Sequence, residues 1–275
     1  MRIINLIENS PGVSGCCYEH GLSFYIETER HKLLMDAGAS DRFLRNAKLL
    51  GIDLRGVDSL FLSHGHYDHS GGILAFTAMN ASVKLYMQRT AGLDYYAMDP
   101  EGPKYIGIDK EILTLRNLIM LDGDKEIDQE LSILSGITGR RRWSRSNLEL
   151  KRRDGDTFQQ DSFSHEQALV IRQNGKTYLF SGCAHNGILN FLDRFRAVYE
   201  SDPDVVVSGF HFMKSGDYTQ DELVDILETA RELSKMSTVF YTGHCTSERA
   251  FDLMKPIMGE KLMALHSGLE LLSEQ

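Results

Sequence analysis

Four side chains able to bind a metal ion fall within six positions of this chain, His64, His66, Asp68 and His69 in the run His64-Gly65-His66-Tyr67-Asp68-His69. Imidazole nitrogens suit zinc, iron, nickel and copper, and a carboxylate also admits harder ions such as manganese, so this mixture points to a catalytic transition-metal site. The bland alternative is a solvated turn that gathers three of the ten histidines by chance. The preceding run 58–63 reads as a buried strand, and Ser70-Gly71-Gly72-Ile73 as a glycine-hinged entry into a helix. The ligands would then sit on a rigid strand-to-helix corner, where donor geometry can be held tightly.

One loop cannot complete a dinuclear site, because two ions about 3.5–4 Å apart need ligands from elsewhere in the fold. Three later apolar runs end in glycine and histidine: Leu179-Phe180-Ser181-Gly182-Cys183-Ala184-His185, Val205-Val206-Val207-Ser208-Gly209-Phe210-His211 and Val239-Phe240-Tyr241-Thr242-Gly243-His244. Parallel strands followed by helices bring such tips to one sheet edge. Asp36, at the end of another apolar run, would accept a hydrogen bond from the distal nitrogen of a ligand histidine, or else form a turn beside Gly38.

The elements that would carry these tips alternate. Strands are expected at 2–6, 22–28, 32–35, 83–87, 131–137, 168–172, 176–181, 205–208 and 239–242, with Asn174-Gly175 as a hairpin turn. Helices are expected at 41–50, 72–78, 187–199 and 220–234, the first capped by Asp41 and stopped by Gly51. From 90 to 124 the periodicity is poor and Pro100, Gly102, Pro103 and Gly107 mark an irregular excursion, read as a lid or insertion. Both halves open with β character and close with α/β character, which suits a single α/β domain over 1–275 built as a four-layer αββα sandwich.

The HxHxDH loop followed by strand-tip ligands resembles the metallo-β-lactamase superfamily over nearly the whole chain. Glu8-Asn9-Ser10, Leu34-Met35-Asp36-Ala37-Gly38, Gly182-Cys183-Ala184-His185-Asn186-Gly187, Gly209-Phe210-His211 and Thr242-Gly243-His244-Cys245-Thr246 resemble a narrower group that includes dihydropterin-6-methyl-ribofuranosylaminobenzene-phosphate synthases. The resemblance implies one or two divalent ions, zinc first, with iron, manganese or nickel as alternatives. It places His64 and His66 on the first ion, Asp68 and His69 on the second, and His244 on the second as well. Cys183 stands where a bridging carboxylate is usual, and His185 is preferred to it as the ligand. An upstream ligand is expected near 162–167, where His165 and Glu166 are candidates. His211 matches a proton donor or substrate contact, and Arg140 and Asn9 are candidates for holding substrate. His20, His31 and His266 are read as ordinary packed or surface histidines.

Composition limits the rest. A net charge of −9 argues against a broad nucleic-acid surface. No apolar run approaches the roughly 18 residues of a membrane span. The four cysteines form no CxxC pair and no secretory leader is visible, so a cytoplasmic protein is expected, with a homo-oligomer an open alternative. Seven cationic residues between Arg140 and Arg153, around Trp143, form a basic insertion over 139–165 that could receive a phosphate or serve only as a solvated loop. The leading expectation is hydrolysis of a small phosphorylated or ester-like substrate, with Asp68 and His211 as catalytic groups. A synthase-like transferase and a metal-bound redox or sensing scaffold are the alternatives.

Overall fold

The computed structural model describes residues 1–272. One seven-stranded sheet runs, in spatial order, Glu270–Leu271, Arg2–Ile7, Ser23–Glu27, Lys32–Met35, Ser59–Phe61, Lys84–Gln88 and Leu118–Leu121. The second runs Leu262–Ala264, Val239–Thr242, Val205–Val207, Lys176–Phe180, Gln167–Gln173, Leu131–Ser135 and Lys125–Glu126. Each is antiparallel at one side and parallel at the other, and the parallel part carries the ligand tips.

Strand alternation divides the apolar residues into three cores. Leu33, Met35, Phe61, Tyr86, Ile133, Phe180, Val207 and Tyr241 fill the space between the two sheets. Their neighbours Leu34, Leu60 and Leu85 turn outward onto a helix layer that supplies Phe43 and Phe76. Leu134, Leu179, Val206 and Phe240 turn outward onto the other helix layer. Strands buried on both faces need unbroken apolar runs, which is why Val205-Val206-Val207 lacks alternation. The order is helix, sheet, sheet, helix, the four-layer αββα sandwich that the alternation of elements suggests.

Helices Arg42–Leu49, Ile73–Met79, Ile188–Tyr199 and Gln220–Ser234 occupy the expected segments. Asp41 precedes the first without a side-chain capping bond, whereas Thr219 and Glu222 close a reciprocal capping box on the last. Asn174 and Gly175 both have positive φ, as a two-residue hairpin requires.

The segment expected to be an irregular excursion is ordered. Tyr95–Asp99 and Gly102–Tyr105 form a hairpin, which pairs with Leu150–Asp154 and Thr157–Gln160 from the basic insertion in a separate four-stranded sheet. Pro103 is tolerated because Gly102–Tyr105 is an edge strand. Among the described residues, no helix is long and apolar enough to cross a membrane.

Candidate metal centre

The parallel strands Lys32–Met35 and Ser59–Phe61 end at Asp36 and at the loop carrying His64 to His69. Those of the opposite sheet end at Cys183 and His185, at His211 and at His244. The two sets of tips meet. Asp36, Ala184, His211 and His244 all have left-handed backbone, with φ of 61°, 51°, 52° and 50°. Such conformations cost non-glycine residues about 1–3 kcal/mol each and persist where surrounding bonds hold them, often at functional sites.

Four histidines are oriented the same way. His69 donates from Nδ1 to Asp36 Oδ2 (2.6 Å), and His64 from Nδ1 to the Ser63 hydroxyl (2.8 Å), which itself donates to Asp36 Oδ2 (2.7 Å). His185 donates from Nδ1 to Asn147 Oδ1 (3.0 Å), and His244 from Nδ1 to Asn9 Oδ1 (2.8 Å). Every Nε2 is thereby left as a donor atom facing inward. His64 Nε2 lies 3.3 Å from His185 Nε2, and His69 Nε2 lies 3.1 Å from His244 Nε2. Tetrahedral ligands about 2.0–2.1 Å from a zinc-like ion stand about 3.3 Å apart. Neutral rings so arranged point lone pair at lone pair, a contact that a cation relieves.

The electrostatics differ between the two pairs. Burial pulls the His69 pKa down, but the Asp36 and Asp68 carboxylates more than offset it and raise it. Burial and the neighbouring histidines push His64 and His185 well down, so these rings are neutral ligands at pH 7. Burial raises the Asp68 pKa, yet His69, His20 and His244 hold it well below the ordinary range, and its Oδ2 lies 3.2 Å from His244 Nε2. Cys183 Sγ lies 3.3 Å from His69 Nε2 and can serve with Asp68, His69 and His244, or with His64 and His185. The donor set therefore fits one ion or two, with the sulfur between them.

Three buried carboxylates brace the ligand loops. Asp36 accepts from Ser63 N–H (2.7 Å) as well as from His69. Glu166 accepts from His185 N–H (2.6 Å), Asn186 N–H (2.8 Å) and Asn186 Nδ2 (2.7 Å). Glu8 accepts from His244 N–H and Ser10 N–H. Glu166 is thus a brace for the His185 loop and stands in none of the metal-capable clusters; burial raises its pKa to about 7.

His165 stands with His66 and Asp161 in a group of buried side chains able to hold a metal ion, apart from the Cys183 groups. Its Nδ1 accepts from Gly65 N–H (3.0 Å), so its proton is on Nε2 and is donated to Asp161 (3.0 Å). Both nitrogens are engaged in tying the HxHxDH loop to residue 161. His66 lies beside the His64–His185 pair, its ring 4.8 Å from that of His185, and its Nε2 is buried without a hydrogen-bond partner among the described residues. His211 packs its ring 3.9 Å from that of His185, with neither nitrogen hydrogen-bonded among the described residues. Burial, reinforced by His244, lowers the His211 pKa to about 3.

Residues 19–138 match the profile of the metallo-beta-lactamase superfamily. A crystal structure described as Tm1679, a metal-dependent hydrolase of the beta-lactamase superfamily, superposes with a TM-score of 0.82 at 28% identity, covering 100% of both chains. The chain belongs to the metallo-β-lactamase superfamily. The uncharacterized protein MJ0448 of Methanocaldococcus jannaschii is 31% identical over 77% of this chain and 80% of its own length. The 7,8-dihydropterin-6-methyl-4-(beta-D-ribofuranosyl)-aminobenzene-5'-phosphate synthase of the same organism is 24% identical over 98% of this chain and 95% of its own.

This metallo-β-lactamase centre includes a histidine that sequence reasoning passed over. His20 Nε2 is 3.3 Å from Asp68 Oδ2, its ring lies 4.9 Å from that of His244, and its side chain is 44% exposed at the cavity mouth. No apolar strand precedes it to signal a site; only its position after Asn9 in the folded loop does. Asn9 joins the two rings, accepting from His244 Nδ1 and Gly21 N–H while its Nδ2 lies 3.2 Å from His20 Nδ1. It orients ligands and does not line the cavity. Asn9→Ala is expected to weaken metal binding about 10-fold with little loss of fold stability, measured by chelator competition and by denaturant unfolding.

Arg140 is likewise structural. It donates to Asn186 Oδ1 (2.5 Å) and to the Ser162 carbonyl (3.1 Å), outside the cavity lining. Three of the seven basic side chains are neutralised by the helices opposite: Arg141 pairs with Asp193 and Glu232, Arg142 with Asp225, and Arg145 with Asp221. A charge count along one segment does not register acids that lie far off in sequence.

Proposed function

We propose that this chain is a metal-dependent hydrolase acting on a small ester or phosphoester substrate. The observation that carries the reading is the convergence of the His64–His185 and His69–His244 pairs on Cys183 beneath an open cavity of about 210 Å³. That volume is below the about 300–1,000 Å³ usual for drug-sized ligands and suits a small reacting group. Imidazole and thiolate donors favour zinc over manganese. A divalent ion there would polarise the scissile centre and lower the pKa of a water molecule.

The protein's own groups do the rest. Asp68 stays ionised and accepts a hydrogen bond from the attacking water, while His20 steadies its Oδ2 from the solvent side. His211, neutral at pH 7, meets the substrate as a hydrogen-bonding ring and not as an imidazolium acid. Asp68→Ala is expected to lower kcat/KM about 10²–10⁴-fold, as loss of a proton-handling group does. The decisive measurement is oxygen-18 incorporation: hydrolysis carries the label from water into product, and turnover without label would overturn the reading. The end-to-end match to a synthase supports a second reading, in which two substrates are joined and water contributes no oxygen.

A further inference from the structure

The wall facing the metal centre is set by sheet register. Leu150, Ala97 and Lys104 are direct cross-strand neighbours in the small sheet, so they share one face, and that face lines the cavity. Asp99, two residues beyond Ala97, lies on it too. The opposite face is pinned by aromatic packing, with the Tyr96 ring 5.3 Å from Tyr105 and 5.1 Å from Phe158. A shift of one residue would turn Tyr96 into the cavity and Lys104 out of it.

Lys104 is the one lysine or arginine among the described residues lining this cavity, and it has no ion pair or side-chain hydrogen bond among them. Nor has Asp99. The contrast with the arginines at 141, 142 and 145, all engaged with helix acids, is sharp. Ile106 and Leu150 give the same wall apolar area. The wall therefore offers one cation, one anion and an apolar strip across from the metal ligands.

We propose that Lys104 is the substrate anchor of this site and selects a small organic anion, a phosphate or carboxylate attached to an apolar body, with Asp99 opposing the same charge. The assignment refines the hydrolase reading by naming the substrate class. It is tested on anion binding, which requires no turnover. Charge at a partly screened position changes affinity modestly, so the expected effects are several-fold and opposite in sign.

The probe is inorganic phosphate, titrated calorimetrically into the zinc-loaded full chain at low ionic strength. Lys104→Gln should weaken binding about three- to tenfold and Asp99→Asn should tighten it about twofold. Both changes should shrink when the ionic strength rises from about 0.01 M to about 1 M. Equal affinities in all three proteins, shifts of the same sign, or no phosphate binding by the parent chain would each overturn the anchor. Opposite phosphate-affinity shifts together with turnover that carries no oxygen-18 from water would instead refute the hydrolase reading alone. Both side chains touch solvent, so neither variant threatens the fold.

Discussion

Asp36→Ala should be the most damaging single substitution in the molecule outside the ligands themselves. The carboxylate is fully buried and accepts from Ser63 N–H, the Ser63 hydroxyl and His69 Nδ1 at once. Removing it strands a histidine whose pKa it helps to raise, together with a backbone donor and a hydroxyl. Breaking a buried pair costs about 3–5 kcal/mol. Losing the group that orients a metal-bound histidine costs about 10–100-fold in metal affinity. Here two of the three histidines on the first sheet's loop are affected, since His64 reaches Asp36 through Ser63 and His69 directly. Asp36→Asn separates the two effects: its carbonyl can still accept from Ser63 N–H, while one oxygen acceptor becomes a donor facing His69. The isostere should recover part of the stability and little of the metal affinity, read by denaturant unfolding and by zinc titration. Wild-type metal affinity in Asp36→Ala would sink the tautomer argument.

The same network explains what the sequence displayed and what it concealed. Ligand tips are legible because an apolar run must end where its strand leaves the core, and glycine with histidine there has little structural purpose. Gly182 illustrates this: a Cβ at that position would lie 2.2 Å from Ser63 Oγ, so the two ligand loops approach too closely for any side chain. The braces are only partly legible. Asp36 reads as an acceptor for a ligand histidine, but Glu8, Asn9 and Glu166 stand out only by resemblance or for other roles, and Asn147 not at all, until folding brings them against loops up to 236 positions away. His165 and Glu166 could not be ranked for the same reason, since the choice depends on Glu166 accepting from the backbone of the His185 loop while His165 stands beside His66 and Asp161. The small sheet was hidden by its exposure: short strands with aromatic residues on one face and mixed residues on the other lack the clean alternation of a half-buried strand. The helix Glu248–Met258 was missed as well, and it contains Pro256 in its last turn.

Cys183 yields the other large effect, because its sulfur is common to the His64–His185 and His69–His244 groups and would serve an ion held by either. It belongs to three of the four clusters of metal-capable side chains among the described residues. Burial raises its pKa well above the ordinary thiol value, and Cys245 raises it further, so before metal binds it is a thiol at pH 7. Only the thiolate coordinates. Metal loading of the parent chain should therefore release about one proton more than loading of Cys183→Ala, whatever the histidines contribute. The sign follows directly. Below the thiol pKa, a ligand that must lose one proton makes metal affinity rise about tenfold per pH unit, and the variant lacks that increment. Cys183→Ala should also bind fewer ions and lose most turnover, since both halves of the centre share the sulfur. Calorimetric zinc titrations in two buffers of different ionisation enthalpy measure the proton count between pH 6 and 8. Equal proton release from the two proteins would make Cys183 a small buried packing residue, leaving Asp68 as the group that must join the two histidine pairs. That outcome would also move the soft-metal preference, because the remaining donors would be imidazole and carboxylate alone, a set that admits manganese and iron as readily as zinc.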